Sequence, residues 1–137
     1  FDFVIKVDEN INRHEILFPT MIVQPHIENA IWHGLMQKTD GVGKIIVYYS
    51  LNEEENTVSC SIEDNGVGRT KSRELNQLSA NRRDSKGTKN VLETIETLNK
   101  QYNTNLGKVI IEDLQNEEKK PVGTKVTITI PILEEKE

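Results

Sequence analysis

From Thr124 to Ile132 every second residue is apolar, with Val126, Ile128, Ile130 and Ile132 in strict period two, and no other feature limits the fold as tightly. Such alternation puts one apolar row on a single face of a strand, so the chain must build a sheet with one buried side. Lys108 to Leu114 supplies a partner strand, and Phe1 to Val7 reads as another. Lys44 to Leu51 and Thr57 to Asp64, rich in β-branched and aromatic residues, flank the polar Asn52-Glu53-Glu54-Glu55-Asn56 and predict an antiparallel hairpin. Two segments carry helical periodicity. Val91, Ile95, Leu98 and Tyr102 form one apolar stripe along roughly Thr88 to Tyr102. From Thr20 to His33 a second helix presents Val23, Ile27, Ala30 and Ile31 inward and stops at Gly34. Pro25 either interrupts or opens that helix, because an interior proline removes a hydrogen bond and costs about 3 kcal/mol outside the first turn. The pattern predicts an α/β fold, a two-layer sandwich with helices on one face of the sheet. Gln115 to Val122 reads as a polar connection and Glu134 to Glu137 as a frayed acidic tail, leaving residues 1–133 as one domain.

With 137 residues the chain can bury a core without disulfide staples, and its single cysteine excludes an internal disulfide framework. Cys60 lies in phase with Val58 and Ile62, as expected of a buried strand residue. No apolar run reaches membrane-spanning length and no signal-peptide pattern is present, so a soluble domain in a reducing compartment is expected. The chain opens within a strand and without an initiator Met, as a piece of a longer protein would. A net charge of -5 argues against a general nucleic-acid binder. The charge is unevenly spread: Arg69, Lys71, Arg73, Arg82, Arg83, Lys86 and Lys89 face only Glu74 and Asp84 within residues 69–89. A basic segment in an acidic domain suits either a small polyanion or a solvated loop.

Three short segments carry the chemistry. Asp64-Asn65-Gly66-Val67-Gly68 places an acceptor-only carboxylate and two permissive glycines where a strand opens into a loop, which suits a flat, polar-edged ligand or an ordinary Asx-Gly turn. Within Gln24-Pro25-His26-Ile27-Glu28-Asn29-Ala30-Ile31-Trp32-His33-Gly34, helical spacing stacks Asn29 on His33 and sets Glu28 about a hundred degrees round. A carboxamide oxygen is a fair partner for Mg²⁺, which is usually shared with substrate phosphates, although a lone Asn also serves to bond a neighbouring loop. The third segment is Ser85-Lys86-Gly87-Thr88-Lys89-Asn90.

Taken in order, these segments resemble the ATP-binding catalytic domain of LytS-like sensor histidine kinases over nearly the whole chain. Gln24-Pro-x-x-Glu-Asn-Ala-x-x-His-Gly34 looks like their N box and Asp64-Asn-Gly-Val-Gly68 like their adenine box. Gly87-x-x-Asn90-Val91 resembles the second glycine box, and Gly123-Thr124-x-Val-x-Ile-x-Ile-Pro131 the closing strand. The resemblance implies the Bergerat fold, shared with gyrase and MutL ATPases. It implies that Asp64 accepts from the adenine amino group, Asn29 holds Mg²⁺ and His33 lies near the phosphates. Gly66, Gly68 and Gly87 would let backbone approach the nucleotide, with Lys86 and Thr88 beside Gly87, and Thr124 would help close the adenine pocket. The basic stretch at about 69–87 would be the lid.

The implied activity is γ-phosphoryl transfer from ATP to a histidine, in which positioning and charge neutralisation dominate. Where hydrolytic relatives place a water-activating Glu, this chain has Pro25, which favours a kinase and leaves Glu28 as the nearby carboxylate. His14, His26 and His33 do not match the acceptor pattern, so the acceptor is expected on a dimerisation helix outside this chain, in a homodimeric membrane-bound parent signalling to a response regulator. Ser85 and Thr88 replace a glycine and a leucine of the second glycine box, and Trp32 stands where a cation is common. These departures keep two alternatives open: a non-catalytic module of the same fold, or an anti-sigma-factor-type serine kinase.

Overall fold

The computed structural model describes residues 2–11, 16–35, 38, 41–68 and 86–134. The alternating segments become β1 (Asp2–Val7), β3 (Lys44–Asn52), β4 (Thr57–Asp64), β5 (Lys108–Gln115) and β6 (Pro121–Pro131). They form a five-stranded sheet in the order β1-β3-β4-β6-β5. Only β1 runs parallel to its neighbour, and the other three pairings are antiparallel. Two short strands, β2 (Ile16–Leu17) and β7 (Leu133–Glu134), pair separately. Glu134, expected to begin a frayed tail, is thus paired with Ile16.

The helices are α1 (Thr20–Asn29), continued as a π-helix over Ala30–Leu35, and α2 (Lys86–Gln101). Ile45, Val47, Val58, Cys60, Ile62, Val126, Ile128 and Ile130 from the three central strands join Ile22, Val23, Ala30, Val91 and Ile95 from the helices in one core. This is the expected two-layer α/β sandwich with a mixed, mostly antiparallel sheet, and each fully buried Ile adds about 1.5–3 kcal/mol. On the opposite face of β4 and β6 the hydroxyls of Ser59 and Thr129 bond at 2.8 Å. Cys60 is fully buried and pairs across the ladder with Tyr49, and burial pushes its thiol up to about 12, so it carries no thiolate.

Several boundaries differ from expectation. Strand β6 begins at Pro121, so only Asn116 to Lys120 connect it to β5, organised by Asn116 Oδ1 accepting from the N–H groups of Glu118 and Lys120. Helix α2 ends before Tyr102 because Asn103 takes a left-handed conformation, φ 50°, that caps it. Asn99 then locks the helix end to β5, accepting from Gly107 N–H at 2.8 Å and donating to Gly107 O at 3.0 Å. Pro25 neither opens nor breaks α1. It sits inside the helix and removes the N–H that would bond the Met21 carbonyl, on a side of the helix where Met21 is exposed.

The buried side of α1 is Ile22, Val23, His26 and Ala30, with Ile27 and Ile31 only half-buried. His26 therefore enters the core. Among the described residues its Nε2 has no hydrogen-bond partner, and burial lowers its pKa from the ordinary value of 6.5. A histidine held neutral in the fold but free to protonate when unfolded contributes stability that is complete above pH 6.5 and drains away as pH falls towards its lowered value. Replacing His26 with Leu is expected to flatten the decline in Tm on acidification from pH 7 to 5, as followed by thermal melts. An unchanged acid slope would show that another group sets it.

Candidate functional site

Asp64 is the last residue of β4, paired with Ile45 on one side and Thr124 on the other. It follows Val58, Cys60 and Ile62 in phase, so it lies on the helix-facing side of the sheet and is 6 % exposed. The Gly66 N–H donates to its Oδ1 at 2.9 Å, closing an Asx turn. The turn reading of this segment therefore holds, and the turn uses one oxygen of a carboxylate that is also buried at the end of the strand. Burial pushes the carboxyl above the usual carboxylate range, and the backbone N–H groups of Gly66 and Thr124 pull it partly back. A turn alone needs no such burial.

Two glycines shape the surroundings. Gly68 is buried with φ +85°, where a side chain would be strained, and packs against Pro121. Gly123, which sequence reasoning treated only as part of a strand motif, has φ +149°, and a Cβ there would run into the carbonyl oxygen of Asp64. Backbone of β6 thus crosses directly over the main chain of Asp64 and Asn65. Thr124, next in sequence, is half-buried.

The N-box residues lie on the layer that Asp64 faces, since α1 packs on β4 and α2 and the π-helix packs on β4 and β6. Asn29 ends α1 and is half-buried. Glu28 is exposed and accepts from Gln24 Nε2 at 3.3 Å, one turn back on the same helix. The α-helical spacing that stacked His33 on Asn29 stops at Asn29, because the backbone widens to π geometry from Ala30 through Leu35, past Gly34. Single π turns recur at functional sites. Lys86, Gly87 and Thr88 form the first turn of α2. The side chains of His33, Lys86 and Thr88, and residues 69–85 of the lid expected at about 69–87, lie outside what is described.

Among the described residues no group of three or more His, Cys, Asp or Glu could hold a metal ion. Mg²⁺ takes few protein ligands when it is shared with substrate phosphates and water, and the Asn29 carboxamide oxygen would be the one this helix offers. A bound Mg²⁺ would neutralise phosphate charge beside this residue.

No family profile matches the chain. The uncharacterized protein YwpD of Bacillus subtilis (strain 168) is 30% identical over 90 residues, which span 66% of this chain and 31% of that protein. Among solved structures, the histidine kinase domain from the Erythrobacter litoralis EL346 blue-light activated histidine kinase superposes with a TM-score of 0.59 at 16% identity, over 96% of this chain and 55% of that one. The catalytic domain of histidine kinase ThkA, in a nucleotide-free form, gives a TM-score of 0.55 at 20% identity, over 98% and 81%. The fold is that of a histidine kinase catalytic domain. Among the described residues no helix is long and apolar enough to cross a membrane.

Proposed function

We propose that this chain is the ATP-binding catalytic domain of a two-component sensor histidine kinase of the LytS-like type. It would bind Mg-ATP and donate the γ-phosphoryl group to a histidine on a dimerisation helix of its homodimeric parent, for relay to a response regulator. The observation that carries this reading is the buried, backbone-held carboxylate of Asp64 in a fold shared with histidine kinase catalytic domains. A desolvated acceptor is costly unless a donor is brought to it, and the exocyclic amine of adenine is such a donor. Gly66 and Gly68, in the loop after Asp64, would let a planar base approach the main chain. Asn29, at the end of α1, would hold Mg²⁺ against the phosphates, with His33, Lys86, Gly87, Thr88 and Thr124 completing the nucleotide contacts and Glu28 assisting. With Pro25 at the place of a water-activating Glu, the chain's contribution is to position the nucleotide rather than to activate water. The parent would sit in a bacterial inner membrane with this domain in the cytoplasm, and the net charge of -5 lends no support to nucleic-acid binding.

Ser85, Thr88 and Trp32 favour a second reading, a module that keeps the fold without turnover. Incubating the full-length parent with γ-labelled ATP separates the two. Acid-labile, base-stable label on a histidine is expected. Label on serine, or none from a folded protein that binds ATP, would contradict the kinase.

A further inference from the structure

The β3–β4 ladder stops at the pair Ile45 and Asp64, yet the next residue is held more firmly than a turn requires. Asn65 N–H donates to the Lys44 carbonyl at 3.2 Å, and its Oδ1 accepts from the Lys44 N–H at 2.7 Å. Its Nδ2 donates to the Val42 carbonyl at 3.0 Å. The side chain therefore substitutes for two rungs of a ladder that has ended, fastening residue 65 to the segment that leads from the π-helix into β3. Residue 65 is also the link between the two ends of the Asp64 Oδ1 to Gly66 N–H bond. If its peptide planes rotate, that N–H swings off the carboxylate and leaves the Asp64 side chain with only the Thr124 N–H to direct it.

We infer that Asn65 is a positioning residue for purine recognition: by clamping Val42 to Lys44 it holds the Asp64 carboxylate in the orientation that accepts the adenine amine and rejects the O6 of guanine. This rests on the nucleotide-binding reading given above. Asn65 touches no base itself and acts through Asp64 and Gly66.

The test measures the affinities of ATP, GTP and inorganic tripolyphosphate, each with Mg²⁺, for the wild type, Asn65→Ala and Asn65→Asp, with thermal melts alongside. Asn65→Ala removes both side-chain bonds and is expected to weaken ATP about tenfold while GTP and tripolyphosphate change little, so the ATP to GTP ratio falls about tenfold. Asn65→Asp keeps the acceptor for the Lys44 N–H, loses the donor to Val42, and should fall between the two. A merely structural role would lower all three ligands together with Tm. An ATP to GTP ratio equal to wild type in both variants would overturn the inference, as would parallel losses of ATP and GTP. If the wild type itself shows no ATP binding, the failure belongs to the nucleotide reading instead.

Discussion

Replacing Asp64 with Asn is expected to weaken ATP binding about 100-fold or more while raising Tm at pH 7. The two effects have one cause. The carboxylate is buried and its carboxyl raised, so the fold favours the protonated form. That contribution to stability is complete below the ordinary carboxylate value of 3.8 and is lost as pH rises through the raised value, which leaves the ionised group a net cost at neutral pH. A carboxamide removes the charge and keeps an oxygen for the Gly66 N–H at Oδ1. It also turns the other arm into a donor, which meets the adenine amine donor to donor. Thermal melts across pH should show the stability gap closing on acidification, and wild-type ATP affinity should fall over the same range as the acceptor is protonated. A variant that binds ATP as well as wild type would remove Asp64 from the site.

Gly123→Ala is expected to destabilise the chain by roughly 3 kcal/mol, a fall in Tm on the order of 10 °C, and to abolish ATP binding. The added Cβ meets the carbonyl oxygen of Asp64, which is backbone and cannot rotate aside, at a φ of +149° that side chains rarely adopt. Because β6 lies between β4 and β5, relief requires one of those ladders to open. The Asp64 and Thr124 pairing is the nearest rung, so the damage falls on the carboxylate's own support. Melts with bound and free ATP check both halves. A variant within a degree or two of wild type would show that the crossing of strands here is looser than the geometry implies.

The sheet was legible wherever alternation was uninterrupted. Thr57 to Asp64 was bounded correctly at both ends because Val58, Cys60 and Ile62 all face inward between polar turns. Where local chemistry and tertiary pairing disagreed, the sequence misled. Pro121 and Val122 look like part of the polar connection but are the start of β6, since pairing with β5 outweighs their weak strand preference. The two residues of β7 are too short for any period to show. Along Thr20 to His33 hydrophobicity pointed to Val23, Ile27, Ala30 and Ile31; Val23 and Ala30 are buried, but the face is turned toward Ile22 and His26, so a polar residue was missed in the core. Nothing in Ala30 to Leu35 announces a π-helix, because its hydrogen-bond register is set by packing on β4 and β6. Asp64 was found from its motif. Asn65 was passed over because an Asx-Gly pair reads as a turn, and its grip on Val42 and Lys44 joins segments more than twenty residues apart.

The most direct test of a purine held at Asp64 and a metal at Asn29 is a titration of the ¹⁵N-labelled chain with Mg-ADP, followed by NMR. The backbone amides of Gly66 and Thr124 and the side-chain amide of Asn29 are expected to shift together with one dissociation constant. A folded chain whose Gly66 and Thr124 resonances stay in place at saturating Mg-ADP would contradict it.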